Sequence, residues 1–149
     1  MIRFRMARIN ISHFAILADS VPNDGVSYTV GLSFKGATQA KRIACEFSVE
    51  FVHDEKPIIK LGVFCEFDVM PADWDGRIKD ETLIITKEEL GFFANQTVGV
   101  ARGVMFCKTE GTPFSQFIIP PINLTQLIKD DFITVSYTHL RAHETSAHL

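Results

Sequence analysis

Three stretches in the first half of the chain alternate apolar and polar residues with period two. Val26, Tyr28, Val30, Leu32 and Phe34 alternate with Ser27, Thr29, Gly31, Ser33 and Lys35. Ile43, Cys45, Phe47, Val49 and Phe51 alternate with Arg42, Ala44, Glu46, Ser48 and Glu50. Ile59, Leu61, Val63, Cys65, Phe67 and Val69 alternate with Lys60, Gly62, Phe64, Glu66 and Asp68. Successive strand side chains point to opposite faces, so each run is an antiparallel strand with one covered and one mostly polar face. An earlier strand runs through Ile9 and Ile11, preceded by Ile2, Phe4 and Met6 alternating with Arg3 and Arg5. "DSVPNDG", "KGATQAK" and "HDEKP" carry the turn residues between them. The pattern predicts a meander of four strands, with Cys45 and Cys65 facing inward as small hydrophobes.

The period then changes. "TKEE" beginning at Thr86 is a capping box, in which Thr86 caps the Glu89 amide and Glu89 reaches back. Leu90, Phe93, Thr97, Val100, Ala101 and Val104 keep the helical repeat, and Gly111 with Pro113 ends it near "KTEGTP". Gly91, Asn95, Gly99 and Gly103 form a second stripe four residues apart. Each interior glycine costs about 1 kcal/mol of helix propensity against alanine, so the stripe predicts a backbone approaching closely, from the chain's own sheet or a neighbouring subunit. Between sheet and helix lies "PADWDGRIKDETLII" (71–85). With Gly76 at position six of a calcium loop, Pro71 and Thr82 would hold positions one and twelve, so the motif fails and a solvated turn is expected. Trp74, set among charges there, either packs back on the domain or joins a binding surface.

After the helix comes "PFSQFIIPPINLTQLI" (113–128). Pro120 and Pro121 fix φ and remove two donors, so the stretch is extended, with a helical turn or two in "LTQLI". It is too apolar to lie wholly in water, and it covers either this domain's core or something else.

Composition narrows the function classes. At 149 residues with 46% apolar and 22% charged, the chain is sized for one domain with a proper core. A net charge of −3 argues against general nucleic-acid binding. No segment has the apolar length of a membrane span, and Phe14–Ala18 is too short for a signal-peptide core. Cys45, Cys65 and Cys107 form no disulfide framework or zinc cage, so a cytoplasmic protein without cofactor or metal is expected, and the sequons at Asn10, Asn95 and Asn123 are chance matches. His13 and His53 lack a neighbouring nucleophile, Asp73/Asp75 and Asp130/Asp131 sit in solvated stretches, and no phosphate loop is present; catalysis is not expected.

Residues 101–128, "ARGVMFCKTEGTPFSQFIIPPINLTQLI", resemble the C-terminal half of SecB-type protein-export chaperones and their SecB-like relatives. Gly111, Thr112, Phe114, Phe117, Ile119, Pro121, Ile122, Asn123 and Leu124 match that family's pattern of helix, Gly-Thr turn, extended aromatic-aliphatic stretch, Pro-Ile-Asn-Leu and final helix. The resemblance implies an α+β fold: a four-stranded antiparallel sheet, a long helix, an extended proline-braced segment and a short C-terminal helix. It implies a homodimer or homotetramer that holds unfolded polypeptides in hydrophobic grooves without ATP, the clients being preproteins or an antitoxin. Phe114, Phe117, Ile119, Ile122 and Leu124 are the expected polypeptide-binding residues, with Trp74 and Phe92 at the rim; the alternative for each is completion of the core. Family members are strongly acidic where they dock the translocation motor ATPase, and −3 departs from that. The same fold also suits an interaction module for one folded partner.

The last segment, "VSYTHLRAHETSAHL" (135–149), lacks any apolar period and holds His139, His143 and His148. It resembles a translated sequencing-adapter read-through, which would make residues 1–134 the natural SecB-like domain. A disordered tail and a histidine-rich metal site are the other readings.

Overall fold

The computed structural model describes residues 1–135 and, as backbone, the strand 144–148. Four long strands come first: β1 (Phe4–Ile16), β2 (Val26–Ala37), β3 (Arg42–His53) and β4 (Lys56–Val69). A helical turn α1 (Pro71–Asp75) and a small hairpin β5 (Ile78–Lys79)/β6 (Thr82–Ile85) lead to the long helix α2 (Lys87–Thr109). A 3-10 turn (Pro113–Gln116), a short helix α3 (Leu124–Leu127) and β7 (Phe132–Val135) follow. The remaining strand is β8 (Glu144–His148).

All pairings in the main sheet are antiparallel, but it is not the expected meander. Its order is β1-β4-β3-β2-β8, with β1 beside β4 rather than β2. Strands β2, β3 and β4 are joined by tight turns, and the 17–25 connection carries the chain across the end of the sheet, a Greek-key arrangement. At the β3–β4 turn, Asp54 and Glu55 both adopt positive φ (49° and 64°), the mirror-image turn whose twist matches paired strands.

Strand β1 explains its own irregular pattern. Its register against β4 slips between Met6 and Arg8 and again between Ile11 and His13. Each slip inserts one residue, so the apolar phase moves from Phe4/Met6 to Ile9/Ile11 and on to Phe14/Ile16, while every pair stays on one face. Ile9 lies opposite Cys65 and Ile11 opposite Val63, both buried. Ile9 and Ile11 are nevertheless exposed: α2 packs mainly on β3 and β4 and reaches β1 at Phe4, against Phe93, and at Phe14, under Lys108, leaving the middle of the strand open.

The core lies between the sheet's inner face and α2. Phe34, Phe47, Phe67 and Phe93 are fully buried, each contributing about 1.5–3 kcal/mol by removal from water. Leu90, Phe93, Ala94, Thr97, Val98, Ala101, Met105 and Thr109 form the buried stripe of α2. Its two hydroxyls are satisfied within the helix, Thr97 donating to the Phe93 carbonyl (2.9 Å) and Thr109 to that of Met105 (2.8 Å). The capping box is present as read: the Glu89 amide donates to Thr86 Oγ1 and the Thr86 amide to Glu89 Oε1, both at 3.2 Å. Glu110 closes the helix, and Gly111 follows at φ +79°.

Two expectations need correction. The 71–85 connection is not merely a solvated turn. Asp73 accepts from the Arg3 backbone amide (2.7 Å), Nε (3.0 Å) and Nη2 (2.9 Å), clasping α1 to the start of β1. Those bonds hold the Asp73 carboxyl at about 2. Arg77 bonds Glu89 through Nε (2.9 Å) and Nη2, tying the hairpin to the helix cap. The second is β7, a four-residue strand that the apolar pattern does not mark. It pairs with β6 to form a three-stranded sheet, β5-β6-β7, and buries Phe132. Gly36 makes room for that ring, since a Cβ there would lie 3.0 Å from Phe132 Cε1 and Cζ.

Beyond β7, β8 pairs its backbone with β2, His148 opposite Gly31 and Glu144 opposite Lys35. His139 and His143 lie outside the described residues.

Candidate functional site

The proline-braced stretch runs along one flank of α2. Its extended backbone alternates: Phe117 and Ile119 are buried, while Ile118 between them is 63% exposed. Arg102, projecting from the same flank, donates from Nε to the Ile119 carbonyl (2.7 Å) and from Nη2 to the Pro120 carbonyl (3.0 Å). These bonds hold the stretch against the helix, in a region where two prolines supply no N–H to pair. Phe117 is braced from behind by Phe51 (ring centroids 5.3 Å apart) and by Phe114 (6.2 Å).

Between helix and stretch opens a cavity of about 420 Å³ lined by Gly99, Arg102, Gly103, Phe106, Phe117 and Ile118. Apart from Arg102, its lining is apolar or glycine backbone. Further toward the helix N-terminus on the same flank, a second opening of about 150 Å³ is lined by Lys87, Glu88, Gly91, Leu124, Thr125 and Ile128. The glycine stripe connects them. A Cβ built on Gly91, Gly99 or Gly103 would meet no described atom within 4 Å. No described strand therefore approaches these glycines, contrary to one half of the expectation, and they leave low, open patches of helix backbone. From Gly91 to Gly103 the stripe, interrupted by the exposed Asn95, runs about 18 Å at the helical rise, the span of about five to six residues of extended chain.

The sequence-predicted residues distribute unevenly over this track. Phe117 lines the larger opening and Leu124 the smaller. Ile122 is half-buried between the two, packed against the core. Phe92 is 41% exposed on the solvent side of α2. Phe114 and Ile119 are buried beneath the stretch and offer no surface. Trp74 is corrected: at 1% exposure it is a core residue, packed inward by the α1 turn, with its Nε1 unpartnered among the described residues. Charged neighbours suggested a surface position, but Asp73, Asp75 and Arg77 are spent clasping the turn to Arg3, Lys41 and Glu89.

Three lining residues escaped the sequence reading. Ile118 was discoverable from the period-two alternation, which points it away from Phe117 and Ile119. Phe106, 53% exposed, sits on the wheel opposite Ala101 and Met105, so helical spacing marks it as an outward aromatic. Arg102 carried no sequence signal, because its carbonyl partners lie 17 and 18 residues away.

The outer face of the sheet has a different chemistry. Three of its carboxylates are paired: Asp68 with Arg42 (2.8 Å) and Arg5 (3.3 Å), Glu66 with Arg8 (3.7 Å) and Arg42 (3.9 Å), Glu50 with Lys60 (3.1 Å). The Arg42 bond, supported by Arg5, holds the Asp68 carboxyl below its ordinary value. A larger cavity of about 620 Å³ at the sheet end is lined by Arg3, Arg5, Lys41 and Arg42, and each of these cations already faces Asp68, Asp73 or Asp75. Among the described residues no group of three His, Cys, Asp or Glu could hold a metal ion, and no helix is long and apolar enough to cross a membrane.

No protein-family model matches this chain, and no curated protein matches it. Among solved structures it is similar to the SecB-like chaperone Rv1957 of Mycobacterium tuberculosis, in complex with a ChAD peptide from the HigA1 antitoxin. That similarity has a TM-score of 0.49 and 14% identity, covering 80% of this chain and 91% of the other.

Proposed function

We propose that this chain is an ATP-independent holding chaperone that binds unfolded polypeptides along the flank of α2. The observation that carries the proposal is the open track itself: exposed Phe106 and Ile118 beside Gly99 and Gly103, with an apolar opening and a smaller mixed one aligned on one helix. An exposed apolar strip of this kind marks a site of association. Its linear shape and backbone floor suit an extended chain whose side chains enter the openings, and nothing in it selects a folded contour. The sequence resemblance of 101–128 to SecB-type chaperones supports the same reading, with a preprotein or an antitoxin as client. A net charge of −3, with Asp68, Glu66 and Glu50 on the outer face already paired, gives little support for docking a motor ATPase, so client holding is the part of that family's activity proposed here. A cytoplasmic homodimer or homotetramer fits the open middle of β1, which exposes Ile9 and Ile11.

The test is fluorescence anisotropy of a labelled, reduced and carboxymethylated polypeptide titrated with the protein, the folded form serving as control. Micromolar or tighter binding to the unfolded form alone is expected, weakened about tenfold by Phe106→Ser with Ile118→Ser. Both positions are exposed, so the fold's stability should move by less than about 1 kcal/mol. Binding of one folded partner with no affinity for unfolded chains would replace this function with an interaction module.

A further inference from the structure

The larger opening contains one unspent charge, and it bears on which segments that opening holds. Six arginines lie among the described residues. Arg3, Arg5, Arg8, Arg42 and Arg77 each face an aspartate or glutamate. Arg102 has no carboxylate partner among the described residues, and its two hydrogen bonds go to the backbone carbonyls of Ile119 and Pro120. A guanidinium carries five N–H donors, so three remain after these two bonds, and the positive charge is not neutralised. This cation is half-buried in the wall of a cavity otherwise made of glycine, phenylalanine and isoleucine. The carbonyls fix the plane of the guanidinium, which removes much of the side-chain entropy that a flexible surface arginine would lose on pairing.

Resting on the groove reading above, we propose that Arg102 makes this site selective for extended segments in which an aspartate or glutamate lies beside large apolar residues. The apolar side chains fill the space over Gly99 and Gly103 against Phe106, Phe117 and Ile118. The neighbouring carboxylate accepts from the remaining guanidinium N–H groups. In a partly dehydrated wall such a pair is stronger than on open surface, and a lysine in the same place is repelled. Arg102 thereby acts as both brace and selector, whereas an apolar groove alone would rank segments by hydrophobicity.

Three amidated, N-acetylated nonapeptides of one apolar sequence, differing only in a central Asp, Asn or Lys, separate these roles in fluorescence anisotropy. The Asp peptide is expected to bind about three- to tenfold tighter than the Asn peptide, the Lys peptide weakest, with the spread shrinking between low and high salt. In Arg102→Gln the Asp-to-Asn ratio should fall to about one, and in Arg102→Lys a preference for Asp should survive. Reading the ratio cancels any loss of bracing at Ile119 and Pro120. Equal binding of all three peptides by the unaltered protein would overturn this proposal alone, as would an undiminished ratio in Arg102→Gln. Binding of none would overturn it together with the groove reading.

Discussion

The glycine floor of α2 makes a prediction whose sign separates two accounts of the stripe. Gly99 and Gly103 are exposed, and a Cβ at either would meet no described atom within 4 Å. Alanine there introduces no clash, and it removes the backbone entropy a glycine loses in a helix interior. Each replacement is worth about 0.5–1 kcal/mol, so Gly99→Ala with Gly103→Ala should stabilise the fold by about 1–2 kcal/mol. For a chain of this length that corresponds to a rise in Tm of about 3–6 °C. Thermal melts followed by circular dichroism, at protein concentrations differing by about a hundredfold, give the measurement. The same methyl groups raise the groove floor, so unfolded-polypeptide affinity should fall while stability climbs. A lower Tm, worst at high concentration, would refute the reasoning: it would mean that a second copy's backbone packs on the stripe and the floor is an interface.

Other outcomes follow from particular contacts. Trp74 is buried away from the groove, so its emission should be blue-shifted and unchanged by saturating client, and Trp74→Phe should cost little beyond lost volume because Nε1 gives up no hydrogen bond. Burial pushes the Cys45 thiol to about 12 and raises that of Cys65, whereas Cys107 is exposed. A disulfide reagent should therefore titrate one thiol rapidly in the native protein and all three only after denaturation. The Asp73 carboxyl, drawn down from 3.8 to about 2 by Arg3, contributes stability fully present above pH 4 and lost as pH falls toward 2. Asp73→Asn should weaken the clasp at neutral pH and flatten acid unfolding in that window, as followed by circular dichroism.

How far the sequence could be read depended on the range of the interaction. The capping box at Thr86, the stop at Gly111 and the three regular strands are local patterns, and the structure has them where the residues put them. The position of β1 beside β4 was not legible, because period-two alternation specifies a face and not a neighbour. The phase slips at residues 7 and 12 were visible as a broken pattern, yet only the register shows them to be bulges. Strand β7 is four residues long and gains its meaning from pairing with β6, nearly fifty residues earlier in the chain. At the candidate site, Phe117 and Leu124, expected from the resemblance to SecB-type chaperones, line the openings. Ile119 and Phe114 were equally apolar but face the core, a distinction that depends on which side of an extended segment meets the helix. Trp74 misled for a physical reason: the charges around it neutralise one another across the fold rather than hydrating the turn.

On the function proposed, the flank of α2, and not the opposite face of the sheet, receives the unfolded chain. Site-specific photo-crosslinking tests it most directly, with a benzophenone side chain placed at Ile118, at Phe106 and, as control, at Ser48 on the outer face. Irradiation with a labelled unfolded polypeptide should give adducts from positions 118 and 106 and none above background from position 48. Adducts from position 48 alone, or an equal yield from all three, would contradict a groove along α2.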